Sequence, residues 1–189
     1  MLAEYQIPLA PLTLETAQGE SKLVLDKAVK LVGFLPNMYA RMAHSPGLLN
    51  AYLDGQSTFR QNSGFDAVEQ EVVFLTISRV NGCSYCVAAH SALADMKSKV
   101  PTAVTNAIRD GRPIPNERLS ALSQFVEVMV RTRGLPTRAD VSAFHAAGYS
   151  DKQILEVVLA IAVKTLSNYA NHLFHTPVDP MFAGRAWEG

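Results

Sequence analysis

The 189-residue sequence predicts an all-α helical bundle, with residues 1–189 forming a single domain. Three features carry that expectation. Apolar residues recur at the three-to-four spacing of a helix face, and no run alternates as a half-buried strand does. Capping residues, prolines and glycines divide the chain into helix-sized lengths. Both cysteines follow directly on a helix-stop signal, Asn81-Gly82, so a CxxC stands at the start of a core helix.

Residues 1–20 read as an extended N-terminal arm, because Pro8 and Pro11 block regular helix. The first helix is expected over Ser21–Val32, and a short second one from Pro36 to His44. Ser45-Pro46 pairs an N-cap with a proline at the first helical position and opens a helix to about Arg60. Gln61-Asn62-Ser63-Gly64 is a turn, and the next helix, from about Asp66 to Val80, ends at Asn81-Gly82. Glycine readily takes the left-handed conformation that closes a helix. The cysteine helix then runs to about Lys97 and packs antiparallel to its predecessor. Pro101 starts a short helix ending near Gly111, and Arg112-Pro113-Ile114-Pro115 forms a linker. Asn116 caps a helix to about Arg133, and Thr137 caps another that ends at Gly148. Ser150-Asp151-Lys152-Gln153 has the form of a capping box and opens the last long helix, to about His175.

The chemistry concentrates in Cys83-Ser84-Tyr85-Cys86-Val87-Ala88-Ala89-His90. A helix places residues three and four apart on one face, so Cys83, Cys86 and His90 form a stripe. Thiols that close can cycle between dithiol and disulfide, and an imidazole one turn away can move the protons involved. The unpaired N–H groups and dipole at a helix start favour thiolate at Cys83. Three other readings compete. A chance meeting of two buried cysteines leaves the helix-start position and His90 unexplained. A zinc site needs a fourth ligand, and no second CxxC or HxxxH supplies one. A structural disulfide across so short a loop would restrain little chain entropy.

Composition narrows the partners. With 48% hydrophobic and 18% charged residues, the chain is apolar for a monomer, so a homo-oligomer is expected. Lys+Arg and Asp+Glu both count 17, with no basic stripe, which argues against nucleic acid and anionic membranes as partners. Met1 to Leu14 lacks a basic start followed by an apolar core, so no secretory signal is expected. The longest strongly apolar stretch, Val157–Val163, is too short to span a bilayer and lies between Glu156 and Lys164. One cysteine pair without a disulfide framework suits a cytoplasmic location.

Two polar groups could serve the cysteines. Glu69 and Glu71 lie on the helix that folds back against the cysteine helix, and periodicity does not choose between them. The last helix carries Asn168, Asn171, His172 and His175; Asn168, His172 and His175 share one face and invite a supporting or substrate-binding role. His44 and His145 fall near helix ends and read as structural.

A glutamate twelve residues before the first cysteine, followed by Asn-Gly-Cys-x-Tyr-Cys-x-x-x-His, resembles the alkylhydroperoxidase D and carboxymuconolactone decarboxylase superfamily, and within it the peroxidase-related members. The resemblance is tightest over residues 66–97, and looser over Leu35–Leu53 and the Asn-rich end of the last helix. It implies an all-helical fold of the alkylhydroperoxidase D-like type, assembled as trimers or hexamers. It also implies reduction of a small-molecule hydroperoxide by the cysteine pair, recharged by a dithiol reductant, either a protein or a small thiol. By position, Cys86 would attack the peroxide and Cys83 would resolve, with Glu71 rather than Glu69 in the proton relay and His90 between it and the thiols. Tyr85 departs from the alkylhydroperoxidase D pattern, which has a histidine there. A phenol of pKa about 10 shuttles protons poorly at neutral pH, so weaker peroxidase activity or a different substrate is expected. The decarboxylase branch typically lacks the cysteine pair.

The resulting expectation is a cytoplasmic thiol-dependent peroxidase needing neither metal nor flavin. Two rivals stand beside it. One is a decarboxylase-like enzyme using His90 and Glu71; the other is a non-enzymatic redox sensor whose disulfide alters oligomer contacts.

Overall fold

The computed structural model describes residues 2–189. Its elements are α1 (Gly19–Val32), α2 (Asn37–Met42), α3 (Pro46–Asn62), α4 (Ala67–Val80), α5 (Ser84–Leu93), α6 (Thr102–Asp110), α7 (Glu117–Arg131), α8 (Arg138–Ala146) and α9 (Asp151–Phe174). A π-helical turn, Ala94–Ser98, continues α5, and a 3-10 helix spans Pro180–Arg185. The fold is all-helical, as the periodicity requires; no strand occurs among the described residues. No helix among them is long and apolar enough to cross a membrane.

Helix α4 is the centre of the molecule. Every residue from Glu69 to Ser78 is buried, and α5, α6, α7 and α9 pack around it. A helix covered on every side is a core helix, and here Glu69, Gln70, Glu71, Thr76 and Ser78 share that burial with its apolar residues. Phe74 at its middle is fully buried and lies 4.7 Å from the Phe59 ring of α3. Burial of each such ring contributes about 1.5–3 kcal/mol. Helix α3 in turn meets α9 closely: a Cβ on Gly55 would fall 2.8 Å from the Val163 side chain.

The helix starts follow local rules. Asn116 accepts from the Leu119 N–H, and Thr137 and Ser150 form capping boxes with Asp140 and Gln153. Asp66 forms another with Glu69. Ser45 holds the N-cap position of α3 without a side-chain capping bond, leaving Pro46 as the feature that suits the start. At the α4–α5 break Gly82 has φ +66, and the Cys83 N–H donates to the Ser78 carbonyl at 2.9 Å. Cys83 is thereby the N-cap of α5, and Cys86 lies in its first turn.

Three differences from the sequence expectation bear on the site. The cysteine helix does not run evenly to Lys97: it ends at Leu93 and widens into the π turn. That turn lets Asp95 pair with Arg185 at 3.0 Å while Met96 and Lys97 line a cavity. Residues 2–18 stay largely extended and α1 begins at Gly19, two residues earlier than expected; Met1 of the arm lies outside the described residues. The arm runs past the end of α9, where Ala3 and Ile7 N–H groups and the Gln6 amide donate to the carbonyls of His172, Leu173 and Phe174. These carbonyls are among those a helix end leaves unpaired. Finally, Pro180–Arg185, too short to leave a periodic signal, folds back over α5. Arg109 holds it by donating to the Arg185 and Ala186 carbonyls.

Candidate active site

Antiparallel packing of α4 and α5 sets Glu71 against His90. Glu71 Oε2 lies 2.9 Å from His90 Nδ1, and Arg60 of α3 donates to Glu71 Oε1 at 2.6 Å. Glu69 faces elsewhere: it closes the α4 capping box and pairs with Arg118 at 2.9 Å and the Tyr149 hydroxyl at 3.0 Å. Geometry thus separates two glutamates that periodicity left equivalent.

The other ring nitrogen of His90, Nε2, lies 2.9 Å from the ammonium of Lys164 on α9. Lys164 is only 1% exposed, and Phe74 offers its ring face 5.6 Å away. These partners fix the tautomer. An ammonium has only donors and an ionised carboxylate only acceptors. His90 therefore carries its proton on Nδ1, donates it to Glu71 and accepts from Lys164 at Nε2. Burial and the Lys164 charge both push the His90 pKa down, so the ring is neutral. Burial opposes ionisation of Glu71, yet the His90 and Arg60 bonds outweigh it and hold its pKa below the usual carboxylate value.

Cys83 and Cys86, both unbridged, approach to 3.6 Å. The hydrogen bond to Cys86, together with burial, pushes the Cys83 thiol well up. Burial works against a Cys86 thiolate, but the Cys83 bond, the Lys164 charge and His90 together bring its pKa well below that of an ordinary thiol. Asn171 adds a donor, with Nδ2 3.3 Å from Cys86 Sγ and 3.8 Å from Cys83 Sγ. The helix-start argument favoured a thiolate at Cys83; here the charge collects one turn inside, at Cys86, where Lys164 reaches it.

A cavity of about 390 Å³ opens onto this group. Cys86, His90, Glu71, Arg60 and Lys164 line its polar end, and Tyr39, Tyr52, Phe34, Met96, Met181 and Phe182 line much of the rest. Cys83 does not line it. Tyr85 borders the cavity too, but its hydroxyl is committed to Asp179 Oδ2, and burial pushes its pKa far up. Asp179 also accepts from the Asn37 N–H at 3.1 Å, so it ties the chain leading into the 3-10 helix to α2 and α5. The aromatic wall thereby gains Phe182, packed edge-on to Phe34 at 6.5 Å.

Asn168 and His172 brace the hairpin from behind. Asn168 accepts from the Asn81 amide at 2.9 Å, His172 bonds the backbone of Gly82, and neither lines the cavity. His175 bonds the Ala3 carbonyl at 2.8 Å. The thiol-facing row of α9 is instead Lys164, Ser167 and Asn171, with Ser167 Oγ 4.0 Å from Cys86 Sγ. Both ring nitrogens of His90 already have partners, Glu71 and Lys164. Among the described residues no three His, Cys, Asp or Glu side chains converge as a metal site would require.

The model of the carboxymuconolactone decarboxylase family matches residues 46–123, from the start of α3 into α7. No curated protein matches the chain. Solved structures share its fold. An uncharacterized peroxidase-related protein from Ralstonia eutropha JMP134, described as an alkylhydroperoxidase AhpD core, is 22% identical, with a TM-score of 0.79 over 92% of this chain and 93% of that one. A peroxidase-related protein from Silicibacter sp. TM1040 is 19% identical, with a TM-score of 0.73 over 98% and 99%. The debrominase Bmp8, in a cysteine-to-alanine variant bound to 2,3,4-tribromopyrrole, is 17% identical, with a TM-score of 0.75 over 95% and 96%. The fold therefore serves more than one activity.

Proposed function

We propose, for a chain whose residues 46–123 form a carboxymuconolactone decarboxylase family region within an alkylhydroperoxidase D-like fold, a thiol-dependent hydroperoxide reductase. One observation carries this reading. Cys86 borders a cavity as the thiol of lowered pKa, and a second thiol held in its protonated form lies 3.6 Å behind it. Thiolate attack on the outer oxygen of a hydroperoxide leaves a sulfenic acid on Cys86. Cys83 condenses with it to a disulfide and releases water. Glu71 and His90, expected from the sequence as the proton relay, hold the proton-transferring end of the site in place, and a dithiol, protein or small molecule, restores the pair. No step calls for a metal or flavin.

The cavity speaks to substrate class. A water occupies about 30 Å³ of liquid. Hydrogen peroxide would leave most of the 390 Å³ empty, whereas an organic hydroperoxide would place an apolar substituent against Tyr39, Tyr52 and Phe182. Exposed Leu155, Val158, Tyr169 and Leu173 along α9 fit the homo-oligomer expected from composition. A cytoplasmic location would keep the resting dithiol reduced.

The test is consumption of cumene hydroperoxide and hydrogen peroxide with dithiothreitol as the recycling dithiol. Faster turnover of the organic peroxide, lost in Cys86→Ser, is expected; full activity in a double cysteine variant would return the decarboxylase-like reading. A second reading, removal of halogen from a halogenated aromatic by the same thiolate, draws on the aromatic cavity wall and on the debrominase neighbour. Halide release under the same conditions distinguishes it.

A further inference from the structure

A lysine with 1% exposure meets both His90 and the only low-pKa thiol of the site, yet the sequence expectation gave it no role. We infer that Lys164 is the general acid of the cycle: its ammonium protonates the oxygen that leaves the peroxide, and its charge rises and falls with the redox state of the cysteine pair. The inference rests on the hydroperoxide reading for its leaving group; its proton count does not depend on that reading.

The groups around Lys164 allow little else. It faces His90 and Cys86 from α5 and the Phe74 ring from α4, its charge also acts on Cys83, and Glu71 and Arg60 stand beyond His90. Glu71 is already matched by Arg60, and His90 is neutral, so the ammonium has one anionic counterpart, the Cys86 thiolate. His90 cannot deliver a proton to the cavity from its resting tautomer. Its only N–H points at Glu71, and its free lone pair is filled by Lys164. His90 and Glu71 therefore act as positioning residues, which aim the Lys164 ammonium at the sulfur.

The atoms balance through this group. The Cys86 thiolate takes the outer OH of ROOH as the O–O bond breaks. The electron pair goes to RO⁻, which collects a proton from the Lys164 ammonium and departs as ROH. Cys83 then displaces the sulfenic hydroxyl, which leaves as water with the Cys83 proton. The oxidised site holds a disulfide and a neutral amine; the reduced site holds a thiolate, a thiol and an ammonium. Both are electroneutral. A lysine that stayed charged beside a disulfide would be a buried cation without its anion, an arrangement that burial strongly disfavours. A dithiol returns two electrons and two protons, one proton to Cys83 and one to Lys164.

Lys164→Arg and Lys164→Met separate charge from acidity, because arginine keeps the charge but holds its proton above pH 12. Ultraviolet thiolate absorbance should show Cys86 ionised at neutral pH in wild type and Lys164→Arg, and protonated in Lys164→Met. Hydroperoxide consumption should fall about 100-fold in both variants. Oxidation with diamide in weakly buffered dye solution, which needs no peroxidase activity, should take up no proton in wild type and one per cysteine pair in Lys164→Arg. Wild-type turnover in Lys164→Arg, or one proton taken up by wild type, overturns the assignment. A wild-type protein inert to peroxides overturns the hydroperoxide reading alone, since the dye experiment still decides the charge of Lys164.

Discussion

Glu71 and His90 should behave as one unit, and the structure sets the size of the effect. Replacing Glu71 by Gln keeps the shape, but an amide cannot accept from both Arg60 and His90 as two carboxylate oxygens do. One donor loses its acceptor, and the Arg60 guanidinium loses its countercharge. Breaking a fully buried ion pair costs about 3–5 kcal/mol, and Arg60 still reaches solvent with 26% of its side chain, so about 2 kcal/mol of stability is expected to be lost. Turnover should fall about 100-fold, because the His90 tautomer is no longer fixed. His90→Asn removes the same link from its other end. A hydrogen bond to a charged group is worth about 1.5–3 kcal/mol, so the double variant should lose that much less than the product of the single losses implies, about 10- to 150-fold. Steady-state hydroperoxide consumption and urea unfolding of the four proteins measure both quantities. Glu69→Gln is the control: glutamine still completes a capping box, and the pair with Arg118 is partly exposed, so about 1 kcal/mol of stability and no turnover should be lost. Turnover losses at Glu71 and His90 that multiply to within about 0.5 kcal/mol, or a larger loss at Glu69, refute the reasoning.

Three further outcomes are expected. Cys83→Ser should let a sulfenic acid be trapped on Cys86 after one equivalent of hydroperoxide, whereas Cys86→Ser should consume none; label found only on Cys83 reverses the roles. Tyr85→Phe releases Asp179, so amide exchange over Pro180–Arg185 should quicken and KM for an apolar hydroperoxide should rise while Cys86 titrates as before; unchanged exchange shows that the bond does not hold this segment. Acid should destabilise the fold from about pH 6.5 downward, because His90 is neutral when folded and binds its proton first in the unfolded chain. Glu71, depressed when folded, adds stability above its unfolded value near 4.3 that disappears as pH falls through the lower folded value. Urea midpoints against pH should flatten over the upper part of this range in His90→Asn, and an unchanged slope there assigns the loss to another group.

What the sequence made legible is what local chemistry decides. Asn116, Thr137 and Ser150 cap helices within their own first turns, and Asn81-Gly82 ends a helix wherever it packs, so these boundaries appear in the chain itself. The stripe of Cys83, Cys86 and His90 follows from helix spacing alone. The phase of α9 does not. Its polar end contains both Asn168 with His172 and Asn171, and only the packing of α9 against α3, α4 and α5 turns Asn171 to the thiols. Lys164 reads in sequence as the charged flank of the apolar run Val157–Val163, because a lysine on a long helix is ordinarily solvated. Its burial is a tertiary fact, produced by the Phe74 ring and the His90 lone pair that meet it. Arg60 and Asp179 are hidden for the same reason, as single residues made functional by partners 11 and 94 positions away.

The π turn after α5 makes the cavity mouth sensitive to chain length. A π turn holds about one residue more than an α turn. Deleting a single residue within Ala94–Ser98 would remove that extra residue and close the bulge into regular helix, leaving the chain beyond it nearly in phase. The side chains carried on the bulge, Asp95 at Arg185 and Met96 and Lys97 at the rim, would be reset, without change to any residue of the thiol site. Selectivity in this fold can therefore drift by insertion and deletion at the end of one helix, while the chemistry one turn deeper stays in register.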